Sequence, residues 1–369
     1  MKRLASVFAA RAEDELQDMR RAIRTKRPDA VLVDPMTWAA SAIADVWGGP
    51  WCAMGPHPLP LPAPDVPPFG PGFKPAAGPA GRLRDRVLPP LIWGSVKRVF
   101  LPRLNAVRHR AGVEPYSDVA DMYTVAPLLI YMTAEPFEYQ RSSWPPSIQL
   151  VGPCCWDPPA ETPAWLAETK KELVLVSTSS EFQDDGRLIE AALSVLAGED
   201  VEVIATAPAA TPDGFAAPAN ARVERFVPHM RVLERAICAV THGGAGITQK
   251  ALAAGVPVCA VPFGRDQREV ARRVEVAEAG TRLPAEHLSP RRLLSKIREA
   301  ITKQPGTQRV ADSFAAAGGL VAAADRFEVE ELAIDHATRT LATTDGHAEA
   351  RADQALMTHG LRTVPRLAP

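Results

Sequence analysis

The sequence predicts an α/β protein made of two doubly wound units. Its 369 residues exceed what one hydrophobic core serves, since single cores stop growing near about 250–300 residues. Short apolar runs alternate with helical runs of about ten residues through the second half, which means right-handed crossovers and a parallel sheet. The stretch RPDAVLVDPMTW followed by SAIADVWGGPWCAMG repeats the strand, helix, strand rhythm near the start.

The opening MKRLASVFAARAEDELQDMRR has two basic residues and a short apolar run, as a secretory signal does. Arg11, Glu13, Asp14 and Glu15 interrupt it at once, and Leu4, Val7, Phe8, Leu16, Met19 and Ile23 keep helical spacing, so an amphipathic helix is expected. Ala30 to Val33 reads as a strand stopped by Asp34-Pro35. Residues 56–79, crowded with proline and glycine, read as a long loop. The stretch from 83 to 113 returns to helical spacing with Lys97, Arg98, Arg103, Arg108 and Arg110 on its polar positions. Such a basic helix is either a solvated face over a core or a surface for an anionic membrane. APLLIYMTAEPFEY and IQLVGP look like the last strands of the first half, and CCWDPPAETPAW like a linker. The expected division is a domain over 1–153, a linker over 154–170, a second domain over 171–333 and a poorly structured tail over 334–369.

Apolar residues make up 46% of the chain and the formal net charge is -1, which offers no global field for nucleic acid. No run of apolar residues is long enough to span a membrane. The five cysteines, Cys52, Cys154, Cys155, Cys238 and Cys259, are odd in number and lack metal-ligand spacing. Reduced thiols in the cytoplasm are the simplest account. Adjacent Cys154 and Cys155 read as small buried hydrophobes or as a redox pair.

Open parallel sheets bind ligands at the carboxyl ends of their strands. The strand ICAVT delivers His242, Gly243, Gly244 and Gly246 to that edge just before a helix. Unpaired N–H groups and the positive end of a helix dipole suit a phosphate there. Thr248 and Gln249 are placed to add hydrogen-bond donors, and His242 to contact a phosphate oxygen whether neutral or charged. Three more strand ends converge on the edge. VSTSS ends on Ser177 to Ser180, suited to phosphate or to helix capping. RFVPHM sets Phe226 to His229 beside a base edge. VPFGRDQ ends on Asp266 and Gln267, which suit sugar hydroxyls, with a helix cap by Asp266 as the alternative.

The run RFVPHMRVLERAICAVTHGGAGITQKALAAGVPVCAVPFGRDQREVARRV resembles the nucleotide-sugar signature of the inverting UDP-glycosyltransferase-type (family 1) glycosyltransferases. The likeness is to the bacterial branch that decorates natural products and glycolipids, and it covers roughly residues 10–330. The resemblance implies a GT-B fold of two facing doubly wound Rossmann-like domains, with the nucleotide sugar in the C-terminal domain, the acceptor in the N-terminal one and neither metal nor cofactor. It implies diphosphate contacts by His242, Gly243, Gly244, Gly246, Thr248 and Ser180, nucleobase contacts by Val227 and His229, and sugar contacts by Asp266 and Gln267. The tryptophan that plant members carry beside the base is absent. Lys250 stands where many members have a glutamate, which puts ribose recognition in question.

The first half departs from the family. Inverting transfer needs a base for the acceptor hydroxyl, which members carry in a Gly-His turn after their first strand, and this sequence has no such turn. Two or three βα units, about 60–100 residues, are expected to be missing from a truncated acceptor domain. Such a domain should expose an apolar sheet edge. Asp34 matches the aspartate partner of that base or merely ends a strand; His57 is the nearest remaining histidine. The expected activity is transfer of a hexose from a UDP- or dTDP-sugar to a hydroxyl of a hydrophobic small molecule or lipid. The alternative is an inactive truncated homologue that binds the nucleotide sugar as a regulatory partner. A dehydrogenase fits poorly because no G-x-G-x-x-G opens the chain. The expected setting is cytoplasmic, with peripheral contact at the inner membrane face available to the basic helix.

Overall fold

A computed structural model describes residues 1–76 and 78–328; the tail expected over 334–369 lies outside the described residues. The chain forms two compact units, one of Met1–Met54, Val96–Leu129 and residues 324–328, the other of Gly55–Ser95 and Ile130–Ala323. Its early elements are α1 (Lys2–Lys26), β1 (Val31–Val33), α2 (Trp38–Trp47), β2 (Trp51–Gly55), α3 (Pro79–Ala111), α4 (Asp121–Thr124), β3 (Leu129–Tyr131) and β4 (Ile148–Leu150). Then follow α5 (Ala164–Glu168), β5 (Leu173–Ser177), α6 (Gly186–Leu196), β6 (Glu202–Thr206), β7 (Ala221–Glu224), α7 (His229–Leu233), β8 (Ala236–Thr241) and α8 (Ala245–Ala253). The last are β9 (Val258–Ala260), α9 (Gln267–Val276), β10 (Gly280–Arg282), α10 (Pro290–Ile301) and α11 (Gln304–Ala316).

In the first unit α1 turns Ala5, Ala12, Leu16 and Ile23 inward, the stripe its sequence spacing requires. Phe8 meets the Trp38 ring at 5.5 Å between centroids, and Trp38 meets Phe100 at 6.0 Å. The strands β1 and β2 run parallel, Val31 opposite Trp51. In its sheet β1 has β2 as its one neighbour among the described residues and so is an edge, and Leu32 on it is 49% exposed. Arg108 differs from its expected place on a polar helix face. It is buried, stacks 3.9 Å from the Tyr116 ring centroid and pairs with Asp45 at 2.8 Å. An acid on a neighbouring helix made that burial tolerable, which spacing within α3 alone does not reveal.

The second unit is built on a six-stranded sheet of order β10-β9-β8-β5-β6-β7, parallel at every neighbouring pair. Every residue of β5 is buried, as a parallel strand covered on both faces must be. Leu173 and Leu175 join the layer of Leu252, Val270, Val274 and Phe314, while Val174 and Val176 join that of Leu188, Ile189, Leu193 and Leu293. Each of these large side chains contributes about 1.5–3 kcal/mol by leaving water. Strand order reverses at the β5/β8 pair, which opens a crevice at the carboxyl ends of those strands.

A buried ion triad holds α9. Arg273 donates to Glu138 Oε1 at 2.8 Å and to Glu269 Oε2 at 3.1 Å, and all three side chains are at most 2% exposed. Burial opposes the Arg273 charge, but the facing Glu138 carboxylate together with Tyr131 and Tyr139 outweighs it and holds the guanidinium more firmly protonated than usual. Glu269 Oε1 accepts the N–H groups of Gly70 at 2.7 Å and Gly72 at 2.8 Å, and Arg272 donates to the Gly72 carbonyl at 2.7 Å. A Cβ on Gly72, whose φ is +66°, would lie 2.5 Å from the Arg268 carbonyl oxygen, so only glycine permits the approach. At its other end the loop is held by Leu59, whose N–H donates to the Tyr131 hydroxyl at 3.2 Å; that hydroxyl in turn donates to Glu138. The stretch 56–76 is therefore irregular, as expected, and fastened to α9 through a buried polar chain.

Replacing Arg273 by Met strands two carboxylates in the interior and is expected to remove about 3–5 kcal/mol of stability, measured by denaturant unfolding. A loss below about 1 kcal/mol would show that water or rearrangement satisfies Glu138 and Glu269 without the guanidinium.

Candidate nucleotide-sugar site

At the crevice, β8 ends at Thr241, His242, Gly243 and Gly244 follow it, and α8 begins at Ala245. The two glycines serve different needs. Gly243 has φ +82°, a conformation side chains resist. Gly244 caps α8 with φ -65°, which any residue adopts, but a Cβ there would lie 2.4 Å from His242 Nε2. At Gly246 a Cβ would meet nothing within 4 Å, so the first turn of α8 opens onto free space.

His242 is almost fully buried, and its Nδ1 lies 3.2 Å from the Ser177 carbonyl oxygen. A carbonyl only accepts, so Nδ1 carries the proton and Nε2 of the neutral ring is an acceptor. Burial pushes the His242 pKa down, against the Ser177 hydrogen bond and the charges of Asp185 and Asp266. This corrects the expectation that the ring serves a phosphate oxygen in either charge state: with Nδ1 committed, it must be the imidazolium to donate from Nε2.

The other expected phosphate ligands divide. Thr248 is fully buried, its hydroxyl 3.2 Å from that of Thr241, which also accepts the Gly243 N–H at 3.1 Å. Thr248 therefore braces the turn from below instead of pointing a donor at an anion. Gln249 is buried beside it, with Oε1 unpartnered among the described residues. After β5, Thr178 Oγ1 donates to the Thr206 carbonyl at 3.0 Å, and Ser179 Oγ accepts from Glu181 N–H and from Gln183 Nε2. Ser180 alone of that run is exposed.

Asp266 precedes α9 and makes no side-chain cap, so the capping alternative does not account for it. Gln267, by contrast, is 2% exposed and committed: Oε1 accepts Phe263 N–H at 2.7 Å and Gly264 N–H at 2.9 Å, and Nε2 donates to Gln183 Oε1 at 2.7 Å. The expected sugar ligand is thus a cross-link between the β9–α9 and β5–α6 loops. Val227 is buried in the core. His229 Nε2 sits 3.1 Å from Thr206 Oγ1, and burial pushes its pKa down to about 4, against the charge of Asp157; it is neutral near pH 7.

Lys250 finds its partners in the segment read as a linker. Its ammonium pairs with Asp157 and donates to the Trp156 carbonyl at 2.6 Å, while Asp157 Oδ2 accepts the Met230 N–H at 2.8 Å. Asp157 therefore ties the expected linker to α7 and α8, a partnership with no signal in the local sequence. Asp34 lies in the other unit, where Oδ1 accepts the Met36 N–H at 2.8 Å and its carbonyl receives the Thr37 N–H at 2.8 Å. Its carboxylate shapes the entry to α2. Among the described residues no group of acids, histidines and cysteines is placed to hold a metal ion, and no helix is long and apolar enough to cross a membrane.

An anionic diphosphate at the α8 entrance should bind with uptake of a proton by His242. Because burial lowers the free ring's pKa and an anion would raise it, affinity is expected to fall by up to about tenfold per pH unit between those two values. Calorimetry with dTDP in buffers of different ionisation heat checks this. Equal heats and flat affinity between about pH 6 and about pH 8 would leave the neutral ring in place. His242→Ala should weaken dTDP about tenfold and abolish the pH dependence.

Residues 190–323 match the Erythromycin biosynthesis protein CIII-like, C-terminal domain family. The chain is 31% identical over 332 residues to 4'-demethylrebeccamycin synthase of Lentzea aerocolonigenes, covering 87% of this chain and 78% of that protein. It is 30% identical over 215 residues to a PGL/p-HBAD biosynthesis rhamnosyltransferase of Mycobacterium bovis, covering 57% and 47%. Among solved structures, the glycosyltransferase of kitacinnamycin aligns with a TM-score of 0.66 at 23% identity over 88% of this chain and 82% of that one. The calicheamicin glycosyltransferase CalG4 aligns at 0.65 and 19% identity, covering 89% and 82%, and VinC in complex with dTDP at 0.65 and 19%, covering 89% and 80%. The fold is GT-B, and the chain belongs to the family 1 glycosyltransferases, in their bacterial natural-product branch.

Proposed function

We propose that the chain moves a hexose, with inversion, from a dTDP- or UDP-sugar to a hydroxyl of a hydrophobic small molecule or lipid. The observation that carries the reading is the α8 entrance, where backbone N–H groups, the helix dipole and the open space at Gly246 meet the ring of His242. Displacement at an anomeric carbon leaves a nucleoside diphosphate, whose growing charge such an entrance stabilises. Family membership supports the same chemistry, and the solved relative bound to dTDP makes that nucleotide the first probe.

We assign nucleotide-sugar binding to residues 171–333 and acceptor binding to 1–153. Gly243, Gly244, Gly246 and Ser180 line the diphosphate, with His242 as its ionic contact. Val227 and His229 back the base. Asp266, whose carboxylate makes no cap on α9 among the described residues, takes the sugar hydroxyls, and Gln267 holds the loop that presents it. Asp34 orients the acceptor side. The stretch 56–79, with Phe69 and Phe73, borders an apolar acceptor.

Asp266→Ala should weaken a dTDP-hexose about tenfold or more while leaving free dTDP nearly unchanged, because only the intact donor presents sugar hydroxyls. Calorimetric titration of both ligands reads the difference. Equal losses would make Asp266 part of the scaffold and remove the sugar assignment.

A further inference from the structure

The first half of α3 carries surface chemistry that the nucleotide-sugar site does not use. The buried residues of this helix begin only at Leu104. Ahead of them Leu83, Val87 and Leu91 are 64%, 49% and 64% exposed. Their four-residue spacing lines them along one stripe. Arg82 and Arg86 flank the stripe, exposed and without an ion pair among the described residues. The single acid of the helix, Asp85, is already bound by Arg84 at 2.6 and 2.9 Å. The face is therefore apolar along its centre, positive along one margin and free of uncompensated negative charge.

We propose that this face of α3 docks on an anionic membrane surface. A helix of this kind lies in the plane of the headgroups, with the leucines and valine in the acyl boundary and the arginines reaching back to lipid phosphates. Charge decides among occupants. A second copy joined by a two-fold axis would bring Arg82 and Arg86 toward the same arginines, whereas anionic lipid answers each of them. Docking would bring the protein to a surface where hydrophobic acceptors collect, but it rests on α3 alone and stands or falls apart from the sugar reaction.

The test is co-sedimentation of the full chain with vesicles of phosphatidylcholine, alone or mixed with phosphatidylglycerol. Binding is expected to the mixed vesicles only, and to fall with added salt. The double variants Leu83→Ser with Val87→Ser and Arg82→Glu with Arg86→Glu should each reduce it about tenfold or more, with dTDP affinity and far-UV circular dichroism unchanged. The substituted side chains are exposed, and two independent variants guard against one misfolding. No binding to mixed vesicles, equal binding to neutral ones, or binding that survives either folded variant overturns the proposal. A native dimer dissolved by Leu83→Ser with Val87→Ser also overturns it and assigns the stripe to a second copy.

Discussion

Arg273 is the interaction around which the second unit is arranged. Its guanidinium joins Glu138, which follows β3, to Glu269 on its own helix, and stacks 4.2 Å from the Tyr139 ring centroid. Burying one cation between two carboxylates is tolerable only when nearly every lone pair is used. Here Glu138 also receives the Tyr131 hydroxyl and the Tyr139 N–H, and Glu269 receives Gly70 and Gly72. The same bonds that offset the desolvation of the ions fix a long proline-rich segment that has no ladder of its own.

The consequence reaches the crevice through α9. Because this helix is pinned near its start, the loop ahead of it holds a fixed position, and Gln267 converts that position into a cross-link to Gln183 and Ser179 across the β5/β8 switch point. Asp185 closes the ring by accepting the Ser179 N–H at 2.6 Å. The Gln267, Gln183 and Ser179 side chains are thus spent on holding the loops, which leaves backbone N–H groups, His242, Ser180 and Asp266 to face a ligand. A site organised before the ligand arrives loses less entropy on binding.

The fold was legible because parallel strands and their crossover helices announce themselves locally, through short apolar runs and helical periodicity. The glycine-histidine entrance was legible for the same reason: a strand end, small residues and a helix start are adjacent in the chain. What escaped was partnership over distance. Lys250 and Asp157 lie 93 residues apart, and Glu269 lies 199 and 197 from the loop glycines it binds; no periodicity encodes such pairs. Thr248 and Gln267 were misread in a different way. Motif position puts both at the site, but which side of a helix turn a hydroxyl or amide faces is decided by Thr241 and Gln183, contributed by other elements.

The central claim is that a nucleotide diphosphate sits on the N-terminus of α8 against His242. A crystal structure of the chain with dTDP tests it most directly. The account predicts diphosphate oxygens within hydrogen-bond distance of the Gly244 and Gly246 N–H groups and of His242 Nε2, with the base beside Phe226 to His229. Nucleotide bound elsewhere, or an α8 entrance left to water at saturating dTDP, would contradict it.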